Sequence, residues 1–346
     1  MQHLSRTVHP IVIECAQMSI QRKASRERTR QLLEVAKRYY LKDESMIAIS
    51  DQLGISRFKV ARLLREARDT GVVTISLNTG GDEDPELSKQ LAECLGLERA
   101  VVAKAWGTVE EVRRIVGAVA GHHLAGTLRQ GETLGLAWGR TLTHMIESID
   151  RLPDIQIVQL NGFVGSDLSQ SPIELVRRAA LLGGNRAKAL MAPLYIESLQ
   201  AAEALRRQPD LKEVFDLYDT VTTAVVAVGG FQPTADGGNN SQFLPLLPPS
   251  ARDELLAAGA VAEVCGLPFC EDGSLADTQV VEHILAIRPE QLRRIPRVIA
   301  VASDPSKAEA ILAVWRAGFI TELVVDDELA EALLSARLPA SARRPK

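Results

Sequence analysis

The sequence lacks the features of a metal-binding, secreted or membrane protein. Its four cysteines, Cys15, Cys94, Cys265 and Cys270, are scattered, and no second Cys or His pair accompanies the last two. A zinc site is therefore disfavoured, and we interpret the cysteines as buried reduced thiols. No signal peptide and no run of about 18 apolar residues occurs, so we predict a cytoplasmic protein without a membrane-spanning segment.

A strong excess of charge of one sign is also missing. The net charge of −4 excludes a uniformly basic nucleic-acid coat protein. The charge is uneven, however: residues 22–68 hold 13 Lys and Arg against 6 Asp and Glu, whereas residues 69–98 hold 1 against 7. A basic segment on a more acidic body is typical of local DNA binding.

Repeats and low-complexity stretches are absent as well, so the chain is organised by domains. Its length of 346 residues and its 46% apolar content predict about two to three globular domains. The predicted segments are a disordered N-terminal arm at 1–26, a winged helix-turn-helix domain at 27–78, a linker at 79–85, a large domain at 86–338 and a disordered tail at 339–346. The arm is either an unstructured end or a basic segment that follows DNA phosphates, and Met18 offers an alternative start. The linker is rich in Gly, Asp and Pro, which interrupt helices and strands.

Residues 44–77 predict a helix-turn-helix with a wing. Two short helical patterns meet at Gly54, where the chain turns through a positive φ, and Ser56 is placed to cap the second helix. Gly71 ends that helix, and the β-branched run at 72–76 predicts a strand that forms the wing. The apolar residues shared between the two helices are Ile49, Leu53, Ile55, Val60, Leu63 and Leu64.

The second helix of this motif has a basic side that predicts contact with DNA. A helical wheel of residues 56–69 places Val60, Leu63, Leu64 and Ala67 on one face. The opposite face and the N-terminal end suit base edges in the major groove. The predicted DNA-binding residues are Ser56, Arg57, Phe58, Lys59, Arg62 and Arg65. A merely solvated basic helix is the alternative, but it leaves the apolar positions on both sides of the turn unexplained.

The large domain alternates strand and helix patterns. Continuous apolar runs such as 298–302 are typical of parallel strands covered by helices on both faces, so we predict a doubly wound α/β fold. The predicted strands lie near 99–104, 132–137, 155–161, 187–191, 222–228, 260–265, 297–302 and 321–325. The predicted helices lie near 85–95, 108–128, 139–149, 171–183, 197–206, 250–258, 305–317 and 326–336.

A ligand is expected at the carboxyl ends of these strands, where open α/β sheets bind their ligands. The segment TLGLAWGRTL runs from a strand into Gly139, and the backbone amides, the Thr141 hydroxyl and the Arg140 guanidinium suit an anion. An ordinary tight turn is the alternative. The segment has neither the Walker spacing nor GxGxxG, so we expect no nucleotide or dinucleotide cofactor and no other cofactor or metal. Gly162 and Gly229 end two further strands and leave room for a crevice.

Polar residues at unusual positions add to this prediction. Glu263 interrupts an apolar strand, so it either meets ligand hydroxyls or faces solvent at an edge strand. Lys307 lies in the first turn of a helix, where the dipole disfavours a cation, so it either meets an anionic or hydroxyl-rich ligand or faces solvent. His122 and His123 have no carboxylate partner near them in the sequence, and we interpret them as packing or surface residues.

Five segments resemble the SorC family of bacterial transcription regulators, also described as SorC/DeoR. They are ISRFKVARLLREARDTGVVTISL, LGLAWGRTL, GAVAEVCGLPFCEDG, VIAVASDPSKAEAILA and ITELVVDDELAEALL, in the order and spacing of the family, and the resemblance extends over nearly all of the chain after about residue 27. It implies a winged helix joined to a sugar-binding domain similar to glucosamine-phosphate deaminases and ribose-phosphate isomerases. It also implies a homotetramer.

The resemblance implies effector-binding positions. The loop 139–141 matches the family's phosphate-binding loop, and Glu263 and Lys307 match effector-contacting positions. The predicted effector-binding residues are Gly135, Trp138, Gly139, Arg140, Thr141, Gly162, Gly229, Glu263 and Lys307. Where the family pattern has Ala-Gly-Gly, residues 302–304 are Ala-Ser-Asp, and a carboxylate beside a phosphate pocket is repulsive. This departure favours a neutral polyol or free sugar.

Together these features predict a sequence-specific DNA-binding regulator of a carbohydrate or polyol catabolic operon. Its expected partners are operator double-stranded DNA, a sugar, polyol or sugar-phosphate effector, and further copies of the chain in a homotetramer (a dimer of dimers), with no membrane. One alternative is an active sugar-phosphate isomerase or deaminase fused to a DNA-binding module. That enzyme needs a positioned general base, and only Glu263 and Asp304 stand at the strand ends, so we predict no catalytic residues. A helix-turn-helix used only for protein contacts is a further alternative.

Overall fold

The structure, a computed structural model, describes residues 27–73, 80–163, 171–184, 186–232 and 240–336. The predicted N-terminal arm, the C-terminal tail and most of the predicted wing lie outside these residues. The chain divides into two units, Met1–Leu77 and Asn78–Lys346. Among the described helices, none has both the length and the apolarity that crossing a bilayer requires.

The first unit contains three helices whose ends are set by their capping residues. They are α1 (27–41), α2 (Met46–Leu53) and α3 (Arg57–Asp69). Gly54 follows α2 with φ +61, and the Ser56 hydroxyl accepts a hydrogen bond from Lys59 N at 3.2 Å to cap α3. The predicted pair of helices across Gly54 is therefore confirmed. Its buried apolar core consists of Leu32, Val35, Ala36, Ile49, Val60, Leu63, Leu64 and Ala67.

The segment after α3 differs from the predicted strand where it is described. Thr70 caps the helix and Gly71 follows with φ +72. Val72 and Val73 form a bend, because Val73 N donates back to Ala67 O at 2.8 Å and both valines pack on the core of the unit. Residues 74–79 lie outside the described part, so the wing itself stays a prediction.

The second unit is a mixed α/β domain. Its strands are β1 (Gly80–Glu83), β2 (Arg99–Ala105), β3 (Thr133–Leu136), β4 (Gln156–Gln159), β5 (Ala187–Lys188), β6 (Thr223–Ala227), β7 (Gly229–Gly230), β8 (Ala260–Val264), β9 (Leu267–Cys270), β10 (Arg297–Val301) and β11 (Glu322–Asp326). Its helices are α4 (Pro85–Leu95), α5 (Val109–Thr127), α6 (Arg140–Glu147), α7 (Pro172–Leu182), α8 (Leu199–Arg207), α9 (Pro209–Leu217), α10 (Pro249–Ala257), α11 (Pro289–Arg294), α12 (Ala308–Arg316) and α13 (Asp327–Ser335).

Eight of these strands form one sheet in the order β1-β2-β11-β10-β6-β3-β4-β5. Seven of them run parallel, and β1 pairs antiparallel with β2 at the edge. The predicted apolar runs are buried, as strands inside a parallel sheet require, and the predicted α/β class is confirmed. Strand β1 occupies much of the segment predicted as a linker, because its backbone completes the edge of the sheet beside β2.

The predicted strand at 260–265 does not belong to this sheet. As β8 it lies between β7 and β9 in a separate antiparallel sheet of three strands. Cys265 and Gly266, with φ +56 and +81, form the two-residue turn that folds β9 back on β8. Periodicity identified the strand, but only its partners decide the sheet to which it belongs. Strand β9 and the helices α9 and α11 were not predicted.

The strand order places the expected ligand crevice of an open α/β sheet between β3 and β6, and we refer to this place as the crevice. These two strands are neighbours, but the chain continues from β3 to β4 on one side and from β6 towards β10 on the other. The connections after two such strands diverge, and this is the point at which open α/β sheets bind ligands. The Gly139 loop follows β3 and Gly229 follows β6, so the fold brings two predicted effector-binding positions to this crevice.

A buried ionic cluster lies near the opposite ends of β10 and β11. His123 is buried, which agrees with the packing interpretation, and it has a carboxylate partner from a distant segment, because its Nε2 lies 2.5 Å from Glu322 Oε2. Arg297 Nε donates to Glu322 Oε1 at 2.6 Å, and Arg297 Nη2 donates to the Thr127 hydroxyl at 2.7 Å. The partners are far apart in the sequence, so no local pattern indicates them. Together they tie α5 to β10 and β11.

Replacing Glu322 by glutamine is expected to lower the free energy of unfolding of the second unit by about 3 kcal/mol near pH 7. Burial alone raises the pKa of Glu322, but hydrogen bonds from His123 and Arg297 and their charges outweigh it and hold that pKa at about 2. Since the folded pKa is depressed, the carboxylate stabilises the fold above its unfolded pKa of 4.5. This contribution is lost as the pH falls from about 4.5 towards 2.

Urea unfolding near pH 7 and near pH 3 measures this effect. Tryptophan fluorescence reports on the second unit alone, because Trp106, Trp138 and Trp315 all lie in it. The wild type should lose stability on acidification and the Glu322→Gln variant should lose less. Glu93→Gln, which changes an exposed carboxylate of α4, is the control. Equal acid sensitivity of wild type and Glu322→Gln would exclude this role for the cluster.

Candidate functional site

The six residues predicted to contact DNA lie on the exposed side of α3. Phe58 is 88% exposed although it is apolar. Single exposed apolar residues are common, but this one lies among cations. Arg57, Lys59, Arg62 and Arg65 are all exposed, while the opposite face of α3 is buried in the core of the unit. The surface therefore offers an aromatic ring and four cationic side chains from one helix.

The cations of α3 are available to a partner. Within the described part of the chain, no carboxylate forms an ion pair with Arg57, Arg62 or Arg65. Of the two acidic residues of the same helix, Glu66 and Asp69, Glu66 is bound by Arg28 of α1, with 2.8 Å between Arg28 Nε and Glu66 Oε1. The helix is thus tied to α1 through Glu66, and Arg57, Arg62 and Arg65 remain exposed for phosphates or base edges.

Two glycines let the walls of the crevice in the second unit approach each other. A Cβ at Gly139 would lie 2.6 Å from the Ala227 Cβ at the end of β6, and a Cβ at Gly229 would collide with the carboxylate of Glu263. Any larger residue would force these walls apart. Gly139 immediately precedes α6, so the first amides of that helix lie beside the end of β6.

Glu263 lies within the small sheet and faces Gly229. Its strand β8 is the central strand, so the alternative of a solvated edge strand does not hold. Glu263 Oε2 accepts a hydrogen bond from Gly266 N at 2.9 Å. Burial raises the pKa of Glu263 to about 7, against the opposing effects of the Gly266 amide and the Lys307 charge. This carboxyl can accept or donate a hydrogen bond near neutral pH.

Lys307 points into the second unit. It belongs to a short 3-10 turn, Pro305–Lys307, and its Nζ donates to the Val228 carbonyl just after β6 at 3.0 Å. Burial lowers the pKa of Lys307 to about 8, and the positive charges of Arg113 and Arg140 lower it further, while Asp304 and Glu263 oppose them. The ammonium group therefore lies in the field of two arginines rather than in open solvent.

Arg113, which the sequence did not indicate, is a third cation beside Arg140 and Lys307. Arg140, the first residue of α6, is half-buried, and its pKa is lowered by burial and then by Arg113. Arg113 comes from α5, and its side chain is only 13% exposed. We refer to Arg113, Arg140 and Lys307 as the cation cluster. Three positive charges close together repel one another, and an anionic ligand would offset this repulsion.

The remaining predicted effector-binding residues divide into two sets. Thr141 is buried in the first turn of α6, and Trp138 is half-buried in the loop just before Gly139, so both lie beside the crevice. Gly135 instead lies inside β3, where a Cβ would press on Leu160. Gly162 faces the backbone of residues 192–194. These last two glycines allow close packing, and the structure does not bring them to the cation cluster.

Asp304, the carboxylate that departs from the family pattern, caps its own turn beside Lys307. Its Oδ1 accepts hydrogen bonds from Ser306 N at 2.9 Å and from the Ser306 hydroxyl at 2.6 Å, so the carboxylate caps its own turn. Its backbone has φ +92, in the left-handed region that favours glycine. Its charge raises the pKa of Lys307 against the effect of the two arginines, so Asp304 offsets part of the positive charge there.

A cavity of about 240 Å³ adjoins the first turn of α5. It is lined by Trp106, Val109 and Val112 on one side and by Asp304 and Pro305 on the other, among others. Drug-sized ligands occupy pockets of about 300 Å³ or more, so this space suits a smaller molecule. Its walls come from the same turns that carry Arg113 and Lys307.

Comparison with known proteins supports both parts of the chain. A family model described as "Putative sugar-binding domain" matches residues 82–335. The sorbitol operon regulator of Klebsiella pneumoniae is 26% identical over 311 residues, which cover 88% of this chain and 98% of that protein. The uncharacterized transcriptional regulator YjhU of Escherichia coli (strain K12) is 26% identical over 309 residues, or 87% and 93% of the two chains.

A solved structure matches over a similar length. The crystal structure of the full-length sorbitol operon regulator SorC from Klebsiella pneumoniae has a TM-score of 0.67 and 25% identity to this chain. The match covers 89% of this chain and 99% of that one, so it includes the helical N-terminal region as well as the α/β domain.

Proposed function

The chain belongs to the family of the sugar-binding domain found in SorC-type transcriptional regulators, and from that premise we propose a sequence-specific DNA-binding regulator. Its operator affinity is controlled by a small sugar, polyol or sugar phosphate that binds in the crevice between β3 and β6. The observation that carries this proposal is the meeting of the cation cluster with Glu263 at the point where the strand order diverges. The exposed basic face of α3 binds the operator DNA.

The charges of the crevice favour an effector with an acidic group. Arg113, Arg140 and Lys307 supply three positive charges, and the charges of Asp304 and Glu263 oppose the two arginines at the Lys307 ammonium group. Arginine binds phosphate through paired N–H groups, and the amides at the start of α6 add further donors. Glu263 suits a sugar hydroxyl, because its carboxyl accepts and donates hydrogen bonds near neutral pH. We therefore favour a sugar phosphate over the neutral polyol that residues 302–304 suggested.

Regulation needs a link between effector and DNA. We propose a cytoplasmic homotetramer, a dimer of dimers, that presents paired α3 helices to operator half-sites. Effector binding shifts the relative placement of the subunits and changes operator affinity by a coupling free energy of about 1–3 kcal/mol. Sedimentation of the full chain with and without operator DNA tests the assembly, and a monomer at micromolar concentration would contradict it.

A thermal-shift screen of the full chain tests the effector site. Sugars, polyols and their phosphates are compared, because a ligand that binds the native state raises its melting temperature. A sugar phosphate should stabilise the wild type and fail to stabilise Arg140→Gln. The same compound should change the affinity for DNA selected from a random-sequence pool. If no compound of these classes raises the melting temperature, the effector proposal fails.

One observation supports a second candidate, an isomerase or deaminase activity. Glu263 has a pKa of about 7 and Lys307 a pKa of about 8, and a general acid–base catalyst works best when its pKa is near the operating pH. The relatives are named as regulators, and we propose binding without turnover. Incubation of the stabilising sugar phosphate with the protein, followed by product analysis, separates the two: conversion that disappears in Glu263→Gln would establish the enzyme.

A further inference from the structure

We propose that Glu110 is a built-in counter-ion that competes with the acidic group of the effector for Arg113, and so sets how selectively the crevice binds strongly charged anions. The inference rests on the proposed effector site and adds to it a residue that controls specificity. Glu110 lies in the first turn of α5, one turn before Arg113, and it was not among the predicted site residues.

The contacts of Glu110 place it between Arg113 and His144. Its Oε2 lies 3.3 Å from Arg113 Nη1, and its Oε1 lies 2.8 Å from His144 Nε2 on α6. The Glu110 side chain is 63% exposed, whereas that of Arg113 is 13% exposed. Among the described residues, no other carboxylate forms an ion pair with Arg113. The buried cation is therefore neutralised from outside by one exposed and displaceable acid.

Glu110 acts on the same charges that an anionic effector uses. The positive charge of Arg113 lowers the pKa of both Arg140 and Lys307, and the negative charge of Glu110 raises that of Arg140. Glu110 thus offsets part of the mutual repulsion within the cation cluster. An incoming anion would offset the same repulsion, so Glu110 and the anion compete for the positive charges of the cation cluster.

Displacement of Glu110 leaves it with a partner. The His144 imidazole also lies 3.2 Å through Nδ1 from Glu147 Oε2, and Glu147 Oε1 accepts from Arg178 Nη1 of α7 at 2.7 Å. When an anion takes Arg113, Glu110 keeps His144 and remains exposed to water. The exchange therefore leaves neither Glu110 nor Arg113 buried without a partner. Under this condition Glu110 can be displaced reversibly instead of forming a permanent ion pair.

Competition of this kind selects by charge. A phosphate group carries about −1.5 to −2 charges near pH 7, whereas a sugar hydroxyl carries none. A ligand gains binding free energy by replacing Glu110 at Arg113 only if its negative charge is greater than the single charge of the Glu110 carboxylate. Neutral sugars leave the Glu110–Arg113 pair in place and are unaffected by it. Singly charged anions gain little by replacing Glu110, so the carboxylate acts as a repulsive element that favours doubly charged groups over singly charged ones.

Calorimetric titration of inorganic phosphate into the full-length protein tests the proposal. Glu110→Gln should bind phosphate about three- to tenfold more tightly than the wild type, because the competitor is removed. Glu86→Gln, which makes the same charge change in the first turn of α4 far from Arg113 in sequence and contacts Gln90 instead, should differ from wild type by less than about twofold. Unchanged or weaker phosphate binding in Glu110→Gln overturns the proposal.

A double-variant cycle identifies the path of the effect. In an Arg113→Gln background, Glu110→Gln should no longer change the affinity for phosphate, because the shared partner is gone. A gain that persists without Arg113 would mean that Glu110 acts through the general field, and the proposal would fall. If neither wild type nor Glu110→Gln binds phosphate but a neutral sugar raises the melting temperature, this inference fails and the proposed effector site stands. If no compound binds, both fail.

Discussion

Replacing Arg62 by alanine is expected to weaken binding to a selected operator by about 100-fold, while the response of the protein to its effector is unchanged. Arg62 is exposed in the middle of α3, on the side opposite Val60, Leu63 and Leu64. A bidentate arginine–guanine pair is worth about 1–3 kcal/mol, and paired helices on an operator lose the contact twice. Fluorescence anisotropy with labelled operator measures the affinity, and thermal shift with effector measures the response.

Arg68→Ala is the matched control for this experiment. It removes the same charge from the same helix but in the last turn, away from the N-terminal residues that enter a groove. It should weaken binding less than Arg62→Ala and equally for operator and unrelated DNA. If Arg62→Ala leaves operator affinity unchanged, the assignment of α3 as the recognition helix is wrong. If wild-type binding shows no salt dependence, the helix-turn-helix serves protein contacts instead.

Replacing Gly117 by alanine is expected to lower the free energy of unfolding of the second unit by about 3 kcal/mol. A Cβ at Gly117 would lie 2.8 Å from Thr141 O and 2.9 Å from Met145 N, which are backbone atoms of α6 and cannot rotate away. The helices α5 and α6 must then separate. They carry Arg113 and Arg140, so phosphate affinity should fall together with stability.

The same substitution at Gly126 should have the opposite sign. Gly126 also lies in α5, but a Cβ there meets no atom within 4 Å. Because alanine is favoured over glycine in a helix by about 0.5–1 kcal/mol, Gly126→Ala should stabilise the unit slightly. Urea unfolding followed by tryptophan fluorescence compares the two variants. A neutral Gly117→Ala would show that the α5–α6 contact is loose and does not hold the two arginines together.

The residues of the proposed site that the sequence indicated are those that break a local rule. Glu263 interrupts an apolar strand and Lys307 lies in a helical first turn that disfavours cations, and both are found beside the crevice. The Gly139 loop was indicated by a strand that runs directly into a helix. Arg113 and Glu110 broke no rule, because an acid and a base one turn apart on a helix are common on protein surfaces. Their role depends on Arg140 and Lys307, which come from other helices.

What the sequence by itself determined are the features that depend on a few neighbouring residues. The turn at Gly54, the cap at Ser56, the two faces of α3 and the buried runs of β6 and β10 each follow from side-chain period and backbone preference. What only the tertiary structure decided are the contacts between distant segments. The sheet to which β8 belongs, the burial of His123 against Glu322 and the convergence of three cations all depend on strand order. Strand order arises from packing over the whole unit, and no window of the sequence contains it.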